Sequence, residues 1–195
     1  MVQPENLGAG KLIRKIVFES IGILVFASIT SSIGGIGIEL IERKIIFFLP
    51  LLIVIPALND MIGDFGTITA SNFTTLLYMG RINAKNWNKN FELRKLFIRI
   101  VLTSFLSALY LGVGAYLLAM AKGFEFDLSL FLKVLFTTVS ITAALVFIIF
   151  LLSVIGGFYV YKQNHDPDNY LIPLTTAIAD VVSMLVLAFM VSWLF

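Results

Sequence analysis

Residues 170–195 read YLIPLTTAIADVVSMLVLAFMVSWLF, and a single ionisable side chain, Asp180, interrupts them. An α-helix rises about 1.5 Å per residue and a bilayer's hydrocarbon core is about 30 Å thick, so about 20 mainly apolar residues in helix cross it. This stretch has that length and is apolar on every side. It has no polar face to turn towards water, so it reads as a helix in lipid rather than the covering of a soluble core.

Four more apolar stretches bounded by charge precede it, at about 16–38, 45–79, 97–121 and 128–161. The expected fold is therefore all-α: a polytopic integral membrane protein with five transmembrane helices in a single domain over 1–195. Composition agrees, because hydrophobic residues make up 59% of the chain and charged residues 13%, against about 45–50% and 25% in soluble domains. The first span carries Gly22, Gly34, Gly35 and Gly37, small residues that let helices approach closely in lipid. The first eleven residues lack the apolar segment and small-residue cleavage site of a signal peptide, so the first span is expected to be retained.

Basic residues orient the chain, since cytoplasmic loops carry the excess. Ten of the 14 lie on one side, in the N-terminus (Lys11, Arg14, Lys15), the 81–99 segment (Arg81, Lys85, Lys89, Arg94, Lys95, Arg99) and Lys162; Arg43, Lys44, Lys122 and Lys133 lie on the other. The expected topology has the N-terminus cytoplasmic and the C-terminus outside, in the cell membrane. The 81–95 loop reads as a cytoplasmic linker with a short interfacial helix around Trp87 and Phe91. Its basic residues form no stripe that could follow a phosphate backbone, so nucleic acid is not an expected partner. With no cysteine and one histidine, His165, the chain lacks the thiolate and imidazole ligands of zinc, copper and iron sites.

Ionisable side chains inside a span cost at least about 2.5–3.5 kcal/mol at its centre and normally face protein or a watery cavity. Glu19, Asp60, Asp64 and Asp180 are the candidates. Glu19 sits near the membrane surface, within reach of Arg14 or Lys15. Asp180 lies about 15 Å into its span with no basic residue in that span, so its partner comes from another helix, another subunit, a proton or a bound cation. In the second span Asp60, Asp64, Thr67, Ser71, Thr74 or Thr75, and Tyr78 recur at steps of three and four. An unbroken helix puts them on one face as a stripe of oxygen ligands. Pro56, Gly63 and Gly66 leave open a bent or unwound segment that presents main-chain carbonyls instead.

Two carboxylates at i, i+4 in a dry site repel each other strongly enough to keep one protonated, and a divalent cation or a water-filled groove relieves this. Magnesium takes octahedral oxygen coordination, keeps several waters and uses one or two carboxylates. Carboxylates with threonine, serine and asparagine oxygens, Asn59 among them, suit that pattern. The chain is therefore expected to transport a divalent cation, magnesium first, with calcium and manganese fitting nearly as well on chemistry alone.

Pro56-Ala57-Leu58 through Gly63-Asp64, then Ala70-Ser71, Thr75 and Gly80, resemble the second-span signature of the MgtE family of magnesium transporters and channels, especially its eukaryotic solute-carrier branch. Asp166-Pro167-Asp168-Asn169, Pro173 and Asp180 resemble that family's fifth-span signature. The resemblance covers nearly the whole chain and implies five-span units paired around a central pore, so a homodimer in lipid is expected. It makes Asp180 the first magnesium ligand, with Asp64 and oxygens around Gly63, Thr67, Ser71 and Thr176 nearby, and Asp168 and Asn169 as secondary residues. The family usually has Gly-Asn where this chain has Gly63-Asp64, which adds a negative charge to the path. The family's bacterial members often carry cytoplasmic sensor domains ahead of the first span; with about fifteen residues there, this chain is expected to work without them.

Three other readings compete. An intramembrane aspartyl protease could pair Asp64 with Asp180 around one proton, but Met61 and Ile62 stand where the usual Gly-x-Gly-Asp arrangement needs its first glycine. A lipid-head-group transferase would carry an Asp-Gly-x-x-Ala-Arg signature, which is absent. A non-catalytic membrane scaffold would carry no ion. The chain is expected not to be an enzyme.

Overall fold

The structure is a computed structural model that describes residues 9–85 and 87–195, leaving out the side chains of Ala9, Lys11, Leu12, Lys15, Ile16 and Glu19. Among the described residues five long helices follow one another: α1 (Ala9–Ile45), α2 (Leu49–Tyr78), α3 (Phe91–Ala121), α4 (Leu128–Lys162) and α5 (Pro167–Leu194). All five are long and apolar enough to cross a membrane. The chain is all-α, as the apolar stretches predict, and the helices run past those stretches into their charged flanks.

Local chemistry sets the helix ends. Pro50 lies in the first turn of α2, where its missing N–H is not needed. Asn90 caps α3 by accepting from the backbone N–H of Glu92 at 2.9 Å and Leu93 at 3.2 Å. Because that cap sits so early, Phe91 belongs to α3, and the short helix expected around Trp87 is a single 3₁₀ turn, Trp87–Lys89. Asp127 caps α4 through Ser129 and Leu130, and the Tyr116 hydroxyl ties the same loop by bonding the Asp127 main chain at 2.9 Å through both N–H and C=O. Gly80 (φ +67°) and Gly123 (φ +91°) follow α2 and α3 in the left-handed conformation that releases a helix end.

Two shells result. α2, α4 and α5 are the more buried helices, and α1 and α3 the more exposed. α2 packs on α3, α4 and α5, while α1 leans almost entirely on α5. Leu51, Leu58, Ile62, Ile141, Leu145 and Leu187 fill one half of the core; Phe73, Leu77, Ile100, Val154 and Leu171 fill the other. The outer faces of α1 and α3 expose Phe18, Phe26, Leu40, Leu102, Leu106 and Tyr110, which water would penalise and lipid does not.

Of the four glycines in the first span, two make close contacts. A Cβ on Gly34 would stand 3.1 Å from the Asp180 carbonyl oxygen, and one on Gly37 would stand 3.0 Å from the Met184 carbonyl oxygen; Gly22 and Gly35 face open space. The missing side chains bring the α1 backbone onto α5 at the turn that carries Asp180.

Candidate functional site

α2 is a continuous helix through Pro56, Gly63 and Gly66, so the unwound alternative does not occur and the three-and-four spacing keeps its polar face. That helix is long enough to span a membrane and packs against α3, α4 and α5. Asp64 falls at the middle of its 30 residues and Asp180 at the middle of the 28 of α5. Both carboxylates thus lie near the middle of neighbouring span-length helices.

Between α1, α2 and α5 runs a groove of about 480 Å³, lined by Asn59, Asp60, Gly63, Asp64, Thr67, Thr176 and Asp180, with Ile38, Ile55, Pro56 and Met184 as its apolar walls. Asp60 and Asp64 are exposed along it, and Asp180 is half-buried. A smaller apolar recess of about 330 Å³ shares Ile38, Ile55 and Pro56 and reaches towards Glu42 and the α1–α2 turn.

Asp180 is held rather than loose. The Asn59 side-chain N–H donates to its Oδ1 at 2.8 Å, bridging α2 and α5. Asn59 is oriented in turn by the Ser183 hydroxyl, which donates to Asn59 Oδ1 at 2.6 Å and also lies 3.0 Å from the Asp180 main-chain oxygen. The relay fixes one oxygen of the carboxylate. Thr67 and Thr176 bond back to main-chain oxygens of their own helices, at 3.4 Å to Gly63 and 3.0 Å to Ile172, which spends each hydroxyl proton and leaves the oxygen lone pairs as acceptors. A Cβ at Gly63 would make ordinary contact with Thr176 Cγ2 at 3.5 Å, so an alanine would fit there.

The polar stripe divides along α2. Asp60, Asp64 and Thr67 line the groove; Ser71, Thr74, Thr75 and Tyr78 lie beyond it. Thr74 is buried and Thr75 exposed, so the two candidates for that step face different surroundings. Asp168 and Asn169 sit in the first turn of α5, far from Asp180 on the same helix. Glu19 lies on α1, but its side chain falls outside the described residues. Among the described residues no three His, Cys, Asp or Glu side chains gather closely enough to hold a metal ion unaided, so any ion in one chain's groove relies on neutral oxygens, water or a second chain.

Sequence reasoning missed Ser183 and named Asn59 only as one neutral oxygen donor, not as the partner of Asp180. Ser183 follows Asp180 by one helical turn, a spacing visible in the sequence, but its partner lies on another helix. Asn59 precedes Asp60 directly, and nothing local distinguishes the two.

No curated protein and no solved structure matches the chain significantly. The sequence pattern of the MgtE family, described as divalent cation transporters, matches residues 55–190, which contain all of α3 and α4, most of α2 and α5, and every groove residue except Ile38. With well over half of the chain matched and five membrane-spanning helices in place, the protein is a multi-pass membrane protein that belongs to the MgtE family of divalent cation transporters.

Proposed function

We propose that the chain transports magnesium along the acidic, hydroxyl-lined groove between α1, α2 and α5, that two parallel copies enclose the path, and that it carries out no enzymatic step. The observation that carries this reading is the convergence of Asp60, Asp64 and Asp180 on one groove near mid-membrane depth, with Asn59 holding Asp180. A carboxylate there is costly without a partner, and no lysine or arginine lines the groove. A divalent cation supplies the missing charge.

Magnesium suits the donors. It dehydrates reluctantly and binds through one or two carboxylates with retained water, and a groove this size has room for a partly hydrated ion. Sparse carboxylates among neutral oxygens fit that mode better than the six to eight direct oxygen ligands calcium gathers.

Two copies are needed because the groove is open and leaves Asp60 and Asp64 uncovered. Apposing the same face of a second chain encloses it and doubles its oxygen donors. Basic-residue placement supports a cytoplasmic N-terminus and an outside C-terminus. Purified protein in liposomes loaded with a magnesium-sensitive dye tests the function: uptake should exceed that of protein-free liposomes and persist without sodium or pH gradients if transport is passive. Absence of magnesium, calcium and manganese flux under every gradient would leave the scaffold reading standing.

A further inference from the structure

Another recess, of about 310 Å³, lies between α3 and α4 and shares no residue with the groove. Phe97, Val101 and Phe105 wall it on one side, Val139, Ala143 and Phe147 on the other. Phe105 and Phe147 are about half exposed, so the recess opens on the outer surface of the bundle. Ser104 is the one polar side chain among its lining residues; it is buried, and its hydroxyl donates to the Val101 main-chain oxygen at 3.0 Å. A held water needs several polar partners, which these walls do not supply. In a bilayer the space takes a section of acyl chain.

Charge gathers at one end of the recess. Phe97 closes that end, its ring 6.4 Å from Phe147 and 4.8 Å from Phe150 between centroids. Positions 94, 97, 101 and 105 recur at steps of three and four, so Arg94 stands on the face of α3 that walls the recess, one turn nearer the helix start. Lys95 follows it, and both are exposed. Trp87 and Phe91, also exposed, mark the level of the lipid headgroups, within reach of long basic side chains that extend along an apolar surface.

Little opposes these charges. Glu92 is the one acidic residue between Arg81 and Arg99, and two residues of helix turn it about 200° away from Arg94. α4 has no charged residue from Val134 to Tyr161. The cytoplasmic excess of basic residues accounts for a positive segment at this end. It does not account for an arginine in line with an apolar recess that none of the described helices fills.

We infer that an anionic glycerophospholipid docks between α3 and α4, its phosphate against Arg94 and Lys95 and one acyl chain in the recess between Phe97 and Ala143. The arginine fork matches phosphate oxygens two at a time, and the chain fills a space that water leaves empty. The inference rests on the helices spanning a membrane and is independent of the ion carried and of Asp180. In the proposed orientation the lipid belongs to the cytoplasmic leaflet, where anionic lipids create a negative surface potential.

The delipidated full chain in detergent, titrated with dioleoyl phosphatidylglycerol or dioleoyl phosphatidylcholine and followed by native mass measurement and melting, tests it. The parent should bind phosphatidylglycerol at least about tenfold more tightly than phosphatidylcholine and melt higher with it. Arg94→Gln combined with Lys95→Gln should bring phosphatidylglycerol down to the phosphatidylcholine level. Ala143→Phe, which fills the recess and keeps both charges, should weaken binding of both lipids. Either variant decides alone if the other fails to fold. Equal affinity of the parent for the two lipids, or parental phosphatidylglycerol binding in a folded variant, would overturn the inference. An effect of the charges with none from Ala143→Phe would overturn it too, by showing attraction to the surface at large. So would dimers that part in Ala143→Phe without any preference between the lipids, since a second copy would then fill the recess.

Discussion

Asn59 decides how Asp180 presents itself, since its amide fixes one oxygen of the carboxylate and Ser183 fixes the amide. Polar bonds between membrane helices average about 0.6 kcal/mol, and those to charged groups are stronger. Asn59→Ala should therefore lower thermal stability by about 1 kcal/mol and weaken magnesium binding several-fold, both measurable on detergent-purified protein by melting with and without the ion. An unchanged melt and unchanged binding would mean the relay is incidental. At this scale Asp60, Asp64 and Asp180 were legible, because a carboxylate in an apolar run has few ordinary uses. The relay was not, because its bonds join residues 121 and 124 apart in the chain, and single-sequence reasoning has no measure of such proximity.

Among elements, the contact of α1 with α5 is the least forgiving. A Cβ at Gly37 meets the Met184 backbone at 3.0 Å, and a backbone cannot rotate away as a side chain can. Gly37→Val should cost about 1–3 kcal/mol by overpacking, read as a drop in melting temperature, and should disturb the groove because Ile38 is one of its walls. Gly35→Val, where nothing lies within 4 Å, should melt like the parent; equal effects at both positions would show that α1 does not pack as described. The value of small residues in α1 was legible from composition, but which glycines face α5 was not, since a helix apolar all round gives no phase. The α2 stripe was legible for the opposite reason: its polar oxygens recur at helical steps, and the helix does not break at Pro56 or Gly66. The start of α3 was placed late because Asn90 caps a polar turn before the apolar run begins.

For the whole molecule, the proposed pairing of two copies would cover the exposed carboxylates of the groove. Native mass measurement in nanodiscs should give two copies per particle, and a conducting monomer would contradict the enclosed path. Orientation follows the basic residues: Phe195→Cys, in a chain without other cysteines, should label from outside intact cells, and labelling only after the membrane is opened would reverse the topology. The five-helix plan was legible from apolar length alone, while pairing rests on a surface one chain leaves open. The most direct measurement is magnesium flux through Asp180→Asn, a variant that keeps the shape and removes the charge, reconstituted in liposomes at the protein density of the parent. Folding should survive while apparent magnesium affinity falls by at least about tenfold, about 1.4 kcal/mol; flux and affinity equal to the parent would show that Asp180 does not bind the transported ion.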